Sequence, residues 1–169
     1  LNNGKQTLYI LPEIAVTTQL ISRLQQYFGE NISVYHSKYS LNERVEVWNN
    51  VLNNKIKTQI IVGVRSSVFL PFQNLGLVVI DEEHEPSFKQ YNPSPRYNGR
   101  DAAIVLAKLH GAKTLLGSAT PSLETYHNAK QGKYGLVSLT RRYGNVLMPT
   151  IELVDIKEKH YKRLMKGHF

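Results

Sequence analysis

Residues 75–84 read LGLVVIDEEH, a mostly apolar run that is followed at once by acidic residues and a histidine. A short, continuous apolar run is typical of a strand that is buried on both faces of a parallel sheet. In open α/β sheets, ligands bind in the crevice outside the carboxyl ends of the strands. The stretch therefore predicts a buried strand at 75–80 that delivers polar residues to a functional crevice. These are Asp81, Glu82, Glu83 and His84.

Outward from this stretch, short apolar runs alternate with segments of helical periodicity. Further strands are predicted at 7–11, 32–35, 59–64, 113–116, 136–139 and 150–155. Helices are predicted at 14–28, 40–54, 99–110 and 121–130. The second of these begins with a capping-box pattern, Ser40 followed by Glu43. Strands that alternate with helices predict an α/β fold with a doubly wound, mostly parallel sheet.

The charge of the chain favours a polyanionic partner. Its 169 residues carry 21 Lys+Arg against 13 Asp+Glu, a net charge of +8, which suits nucleic acid or an anionic membrane surface. The absence of cysteine excludes disulfides and cysteine-bound zinc within these residues. No apolar run reaches 18 residues, so we expect a soluble, intracellular protein without a membrane partner. The start at Leu1 suggests a piece of a longer protein.

Two adjacent carboxylates at the end of a strand suit nucleotide hydrolysis. Asp81 is expected to hold Mg²⁺ through its water shell, and Glu82 to polarise a water for attack on a γ-phosphate. This is the pattern of a Walker B element. The alternative is that the acidic cluster is a solvated loop after an ordinary strand.

A second strand-to-helix junction follows at residues 115–122, LLGSATPS. It predicts a strand that ends in small hydroxyl residues just before a helix initiated by Pro121. Such a turn places hydroxyls and free helix N–H groups at the same crevice. Taken alone, it is equally compatible with a well-capped helix start.

Together these motifs resemble those of superfamily 2 helicases. DEEH at 81–84 resembles motif II, and GSAT at 117–120 resembles motif III. Within that superfamily, LPEIAVT at 11–17 and GVRSSVFLPF at 63–72 resemble motifs Ia and Ib of the PriA-type family of primosomal helicases. Val16 and Val64 depart from the Leu and Thr expected there.

The resemblance implies a RecA-like P-loop NTPase lobe that lacks its P-loop strand. Residues 1–145 correspond to a partial N-terminal lobe, and 146–169 to a strand and a basic segment leading toward a second lobe. The implied activity is that of an ATP-dependent 3′–5′ DNA helicase, a DNA-dependent ATPase acting in replication restart and primosome assembly at stalled forks. Implied cofactors are ATP and Mg²⁺, with zinc only outside these residues. Implied partners are forked and single-stranded DNA, single-strand-binding protein and other primosome proteins, in a bacterial cytoplasm and associated with the nucleoid.

The resemblance also assigns roles to single residues. The catalytic pair is Asp81 and Glu82, with Asp81 as the magnesium residue. Nucleotide binding and coupling are assigned to Glu83, His84, Gly117, Ser118, Ala119 and Thr120. DNA binding is assigned to Thr17, Thr18, Arg65, Ser66, Ser67, Phe88, Lys89, Tyr91, Arg96 and Tyr97.

Several of the DNA-binding residues lie in an aromatic and basic loop at 87–101, a composition suited to stacking bases while holding phosphates. It resembles the aromatic-rich loop of PriA and RecQ helicases. Because the loop starts next to Glu82, DNA that orders it is expected to shift the carboxylates. The alternatives are a loop whose aromatic rings pack back onto the domain, and ordinary capping and turn roles for Thr17, Thr18 and residues 65–67. The basic residues at 157–166 are more often a solvated face than a DNA contact.

A P-loop requires Gly-x-x-x-x-Gly-Lys-Ser/Thr, and no such run occurs in the sequence. GKQT at 4–7 imitates it but precedes a strand instead of a helix. We therefore expect the chain alone to lack ATPase activity and its sheet to have an unpaired edge. The alternative hypotheses about function are a different superfamily 2 translocase, a non-catalytic nucleic-acid-binding module, or an α/β protein with another ligand.

Overall fold

The computed structural model describes residues 4–13, 18–55, 59–141, 144 and 149–151. The chain divides into two compact units, Leu1–Lys133 and Tyr134–Phe169. Every helix and strand of the described part belongs to the first unit. The predicted division at 145/146 stays a prediction, and the predicted basic segment at 157–166 lies outside the described residues.

The first unit is built on a five-stranded parallel sheet in the order β2-β3-β1-β4-β5. The strands are β1 (Gln6–Ile10), β2 (Ile32–Tyr35), β3 (Ile60–Gly63), β4 (Leu75–Ile80) and β5 (Lys113–Leu116). Ile10 lies opposite both Gly63 and Ile80, and Ile80 lies opposite Leu116. These four residues therefore end at one line, called here the carboxyl edge.

Helices cover both faces of the sheet. They are α1 (Thr18–Phe28), α2 (Leu41–Leu52), α3 (Gly99–Leu109) and α4 (Leu123–Lys130). On one face, Val51 of α2 and Ala103 of α3 join the main core beside Ile61. On the other face, Leu20 and Leu24 of α1 pack against a smaller cluster around Val62. This arrangement confirms the predicted doubly wound α/β fold.

Polar caps fix where the helices begin, and two of these starts set the geometry of the site. The predicted capping box of α2 is present between Ser40 and Glu43. The side chain of Asn98 accepts from the first N–H groups of α3. Ser122 caps α4, so Pro121 precedes the cap and is not the first helical residue as predicted.

Strands β2 and β5 form the two edges of the sheet, and no further strand pairs with the outer side of either among the described residues. Since any open sheet has two such edges, the predicted loss of a P-loop strand stays a prediction. The strand predicted at 136–139 is wrong, because these residues have no strand partner and Leu139 is 92% exposed. Of the strand predicted at 150–155, only Thr150 and Ile151 are described, and neither is in a strand.

Candidate functional site at the carboxyl edge

The site begins where β4 ends. The backbone N–H of Asp81 donates to the Ile10 carbonyl at 3.0 Å, and that of Gly117 donates to the Ile80 carbonyl at 2.8 Å. The hydrogen bonding between neighbouring strands thus continues one residue past the strand ends. As a result, the motif that follows β4 lies directly beside the motif that follows β5, as the sequence predicted.

Asp81 is held by donors from its own turn and from β1. Its Oδ2 accepts from the hydroxyl of Tyr9 at 2.8 Å, and its Oδ1 accepts from the backbone N–H of Glu82 at 3.0 Å. A β-carbon added at Gly117 would lie 3.4 Å from Oδ1, in ordinary van der Waals contact, so Gly117 is the neighbour of this carboxylate on the β5 side. Burial, followed by the hydrogen bond from its hydroxyl to Asp81 and the negative charges of Asp81 and Glu82, raises the pKa of Tyr9 above its ordinary value.

Tyr9 was not among the predicted site residues. Its position in an apolar strand indicated core packing, and the chain contains no short motif that marks it. The register of two strands is what places it. Tyr9 lies opposite Val79 on β4, two residues before Asp81, and its side chain reaches along the sheet to the carboxylate.

Glu82 has a left-handed backbone conformation, with φ +49°. A bulky residue adopts this conformation only where the surroundings enforce it, at a cost of about 1–3 kcal/mol. A turn enforces it here, since the N–H of Glu85 donates to the Glu82 carbonyl at 2.8 Å. The Glu82 carboxylate remains about half exposed at the crevice. Strain that presents an accessible carboxylate beside a second one is typical of functional sites.

His84 connects the two motifs. Its Nδ1 lies 2.7 Å from the Ser118 hydroxyl, and its Nε2 lies 3.3 Å from the Thr120 hydroxyl. Nδ1 is also 3.6 Å from Glu82 Oε2. The imidazole therefore bridges the end of motif II and the hydroxyls of motif III. Ala119 lies exposed between the two hydroxyl residues.

Glu83 has a different environment from its neighbours. It is only 2% exposed, and its carboxylate accepts from the backbone N–H of Ser122 at 2.7 Å and from Arg100 Nη1 at 2.9 Å. The hydroxyls of Ser122 and Thr125 donate to the same carboxylate at 3.0 and 2.9 Å. Burial alone raises the pKa of Glu83, but these hydrogen bonds outweigh it and lower the pKa from its ordinary value.

This network joins the end of β4 to the first turns of α3 and α4. Arg100 also pairs with Asp101 at 2.9 Å. Burial alone lowers the pKa of Arg100, but its hydrogen bonds to Asp101 and Glu83 outweigh burial and raise the pKa. Glu83 was predicted to take part in nucleotide binding or coupling. In the structure it faces away from solvent and holds the frame of the site together.

The loop after motif II, residues 85–98, is fastened to the domain at several points. Arg65 Nη1 donates to the carbonyls of Ser87 and Lys89 at 2.9 and 3.0 Å. Lys89 Nζ donates to the carbonyl of Arg96 at 2.8 Å, which closes the loop on itself. Tyr97 packs edge-on against Phe69, with ring centroids 4.9 Å apart, and lies under the Arg65 guanidinium. The loop is therefore pre-shaped, with a tip around residues 91–96.

The predicted DNA-binding residues differ in their accessibility. Tyr91 is 69% exposed, and Arg96 and Thr18 are also exposed. Phe88 is 2% exposed within the main core, which is the alternative of a ring that packs back onto the domain. Base stacking by Phe88 does not agree with this placement.

The motif Ib residues are also mostly engaged within the domain. Ser67 is fully buried and donates to the Val64 carbonyl at 2.6 Å, so a phosphate contact by its hydroxyl does not fit this structure. Ser66 is half-buried, and the Arg65 guanidinium is bonded to the loop. Thr17 lies outside the described residues.

The carboxyl edge offers few protein ligands for Mg²⁺. The described residues contain no cluster of three or more side chains able to enclose a metal ion. Mg²⁺ usually keeps several waters and is bound by one or two carboxylates together with substrate phosphates. The two recorded donors to Asp81 are neutral and leave lone pairs free on both oxygens. Asp81 with Glu82 therefore fits a hydrated Mg²⁺ held with a phosphate, and does not fit a closed protein cage.

Two broader features complete the description. GKQT at 4–7 leads into β1, as predicted, with Gly4 at φ +63° and not at a helix start. No helix in the described ranges is long and apolar enough to cross a membrane.

Comparison with known proteins agrees with the motifs. Residues 1–129 match the family model for DEAD/DEAH box helicases. The chain is 48% identical over 94% of its length to the replication restart protein PriA of Rickettsia conorii, 41% over 94% to that of Bacillus subtilis, and 39% over 96% to that of Chlamydia muridarum. It covers 24%, 19% and 21% of those proteins, respectively, which is about a fifth to a quarter of their length.

The matched region includes all five strands and the site at their carboxyl edge. Both the motif spacing and the family model identify the same part of the chain. The chain belongs to the DEAD/DEAH box helicase family.

Proposed function

We propose that this chain is the part of an ATP-dependent, 3′–5′ DNA helicase that activates water for ATP hydrolysis, and that the full-length protein acts in replication restart and primosome assembly at stalled forks. The observation that carries the proposal is the paired arrangement at the carboxyl edge. Asp81 is held by β1 and its own turn, while Glu82 is forced outward by a strained backbone. The similarity to replication restart proteins supports the biological setting.

In this proposal the two carboxylates divide the chemistry. Asp81 holds the hydrated Mg²⁺, which when bound neutralises charge on the phosphates. Glu82 orients a water and takes up its proton during in-line attack on the γ-phosphate. Since Glu82 is exposed and Asp81 is tied down, only Glu82 is free to follow a water that moves with the nucleotide.

His84 supplies the coupling. Its ring contacts the hydroxyls of Ser118 and Thr120 and lies 3.6 Å from Glu82, so a change in motif III reaches the attacking carboxylate through one side chain. The 85–98 loop supplies the DNA contact. Tyr91 stacks on a base and Arg96 binds a phosphate, while Arg65, Lys89 and Tyr97 hold the loop in shape.

The remaining parts of the proposal concern the full-length protein. Forked and single-stranded DNA are its substrates, and single-strand-binding protein and other primosome proteins are its partners. It acts in the cytoplasm at the nucleoid. The net charge of +8 on this chain supports a polyanionic partner.

The test is unwinding by the full-length protein on three substrates: a fork, a partial duplex with a 3′ single-stranded tail, and one with a 5′ tail. The proposal predicts ATP-dependent unwinding that is faster on the fork than on the 3′-tailed duplex and absent on the 5′-tailed duplex. Unwinding without preference for a fork would indicate a different superfamily 2 translocase. DNA binding without ATP hydrolysis would instead indicate a non-catalytic binding module.

A further inference from the structure

We propose that Tyr9 is a positioning residue for Asp81, and that its hydroxyl sets the Mg²⁺ affinity of the nucleotide site. This inference rests on the proposed function, because it assigns Asp81 to the metal. The contact that carries it is the 2.8 Å hydrogen bond from the Tyr9 hydroxyl to Asp81 Oδ2. It joins residues that are 72 positions apart in the sequence.

Tyr9 is held rigidly by the sheet. Its backbone is paired on both sides, opposite Val62 on β3 and Val79 on β4. Its ring packs against the cluster of Leu11, Ile60 and Val62 under α1. Packing accounts for the ring but not for the hydroxyl, since a phenylalanine would fill the same space. A hydroxyl at the end of a half-buried ring requires a polar partner, and Asp81 provides it.

The carboxylate of Asp81 is consequently held at both of its oxygens. The Tyr9 hydroxyl donates to Oδ2, and the N–H of Glu82 donates to Oδ1. An ionised carboxylate has about four acceptor sites, so these two donors leave roughly two for metal-bound waters. Without the Tyr9 hydroxyl, the remaining side-chain bond is to the adjacent residue, and the carboxylate regains freedom about its terminal torsion.

The chemistry of the donor matters. Tyr9 is a neutral donor, so it orients Asp81 without cancelling the negative charge that attracts the cation. An Arg or Lys in the same place would compete with the metal for the carboxylate. Groups that orient metal-binding side chains typically change metal affinity by about 10- to 100-fold when removed. Because Asp81 acts through water, we expect the lower end, about tenfold.

The experiment uses Tyr9→Phe in the full-length protein, with Mn²⁺ as the probe in place of Mg²⁺. Bound Mn²⁺ is measured by electron paramagnetic resonance in the presence of a non-hydrolysable ATP analogue, so the readout does not depend on turnover. In parallel, the Mg²⁺ concentration for half-maximal ATPase is measured. We expect the Mn²⁺ dissociation constant and the Mg²⁺ concentration for half-maximal ATPase each to rise about tenfold. The ATPase rate at saturating Mg²⁺ should return to within about twofold of wild type.

Two further variants make the result specific. Tyr126→Phe removes a hydroxyl from an exposed ring on α4 and should change neither value. Combining Tyr9→Phe with Asp81→Asn should weaken Mn²⁺ binding no more than Asp81→Asn alone, because the hydroxyl acts through the carboxylate. A melting temperature of Tyr9→Phe within about 3 °C of wild type would show that the fold is intact.

The outcomes separate the inference from the proposed function. Metal binding and Mg²⁺ dependence of Tyr9→Phe within twofold of wild type would overturn the role of Tyr9 and leave the proposed function standing. If Tyr9→Phe weakens Mn²⁺ binding but the wild-type protein hydrolyses no ATP, the positioning role of Tyr9 is supported and the proposed function is overturned. If Asp81→Asn binds Mn²⁺ as tightly as wild type, both fail.

Discussion

Replacing Glu83 should destabilise the protein more than any other substitution within its acidic motif. In Glu83→Ala, Arg100 loses its buried partner, and two hydroxyls and the N–H of Ser122 lose their acceptor. Removing one partner of a buried ion pair typically costs about 3–5 kcal/mol. Arg100 keeps its bond to Asp101, so we expect about 3 kcal/mol.

The assay is urea unfolding of this chain followed by circular dichroism, with Asp101→Asn as the matched control. Asp101 binds the same guanidinium at the same distance of 2.9 Å, but its side chain is exposed. Exposed pairs contribute about 0–1 kcal/mol, so the control should lose less than 1 kcal/mol. Equal losses from Glu83→Ala and Asp101→Asn would refute the argument that burial makes the Glu83 network stabilising.

The same network predicts a pH dependence, tested with Glu83→Gln. Its hydrogen bonds lower the pKa of Glu83 below 4.5, the value of an unperturbed glutamate. The unfolded chain therefore binds the proton more readily, and stability from the charged form is present above pH 4.5 and lost as the pH falls through the folded-state pKa. The difference in unfolding free energy between wild type and Glu83→Gln should shrink in that acidic range. A constant difference down to pH 3 would contradict this.

Two further predictions concern the turn and the loop. Glu82→Gly should relieve the strain of the left-handed backbone and raise the unfolding free energy of the chain by about 1 kcal/mol, measured with urea. The same variant should abolish the ATPase activity of the full-length protein. A destabilised variant would show that Glu82 is not strained. Phe88→Ala should lower the unfolding free energy by about 3–5 kcal/mol because the ring is in the core. Tyr91→Ala should change the unfolding free energy by no more than about 0.5 kcal/mol and should reduce the stimulation of the ATPase by DNA. Equal stabilities of the two variants would contradict the placement of the rings.

The strands that form the sheet could be predicted because each carries a local signal. The run at 75–80 is mostly apolar, and turn or helix signals border the others. The run at 136–139 is also mostly apolar, but it pairs with no strand among the described residues and is not a strand. Composition specifies where a strand is possible, but pairing decides whether it forms.

The candidate site was predictable where its residues are consecutive in sequence. Asp81 and Glu82 follow directly from the end of β4, and His84 meets motif III because parallel strands end at the same edge. The role of Glu83 was not predictable, since its carboxylate is bound by residues of two helices that come later in the chain.

The 85–98 loop shows the same limit. Its aromatic and basic composition predicted that Phe88, Tyr91 and Arg96 all contact DNA. Burial distinguishes them, because Phe88 belongs to the main core and the other two side chains are exposed at the tip of the loop. Which side of a loop faces the core depends on tertiary packing, and an irregular segment has no periodicity from which to read it.

The role of Glu82 in ATP hydrolysis is tested by DNA-stimulated phosphate release from the full-length protein. Wild type is compared with Glu82→Gln and Glu124→Gln. Glu124 is an exposed acid on α4 and serves as the control for loss of one negative charge. We expect DNA-stimulated hydrolysis in wild type and in Glu124→Gln. In Glu82→Gln the hydrolysis rate should fall by at least about 100-fold, in keeping with the rate contribution of a general base. Stimulated hydrolysis that survives in Glu82→Gln would contradict the assignment of the carboxyl edge as the hydrolytic site.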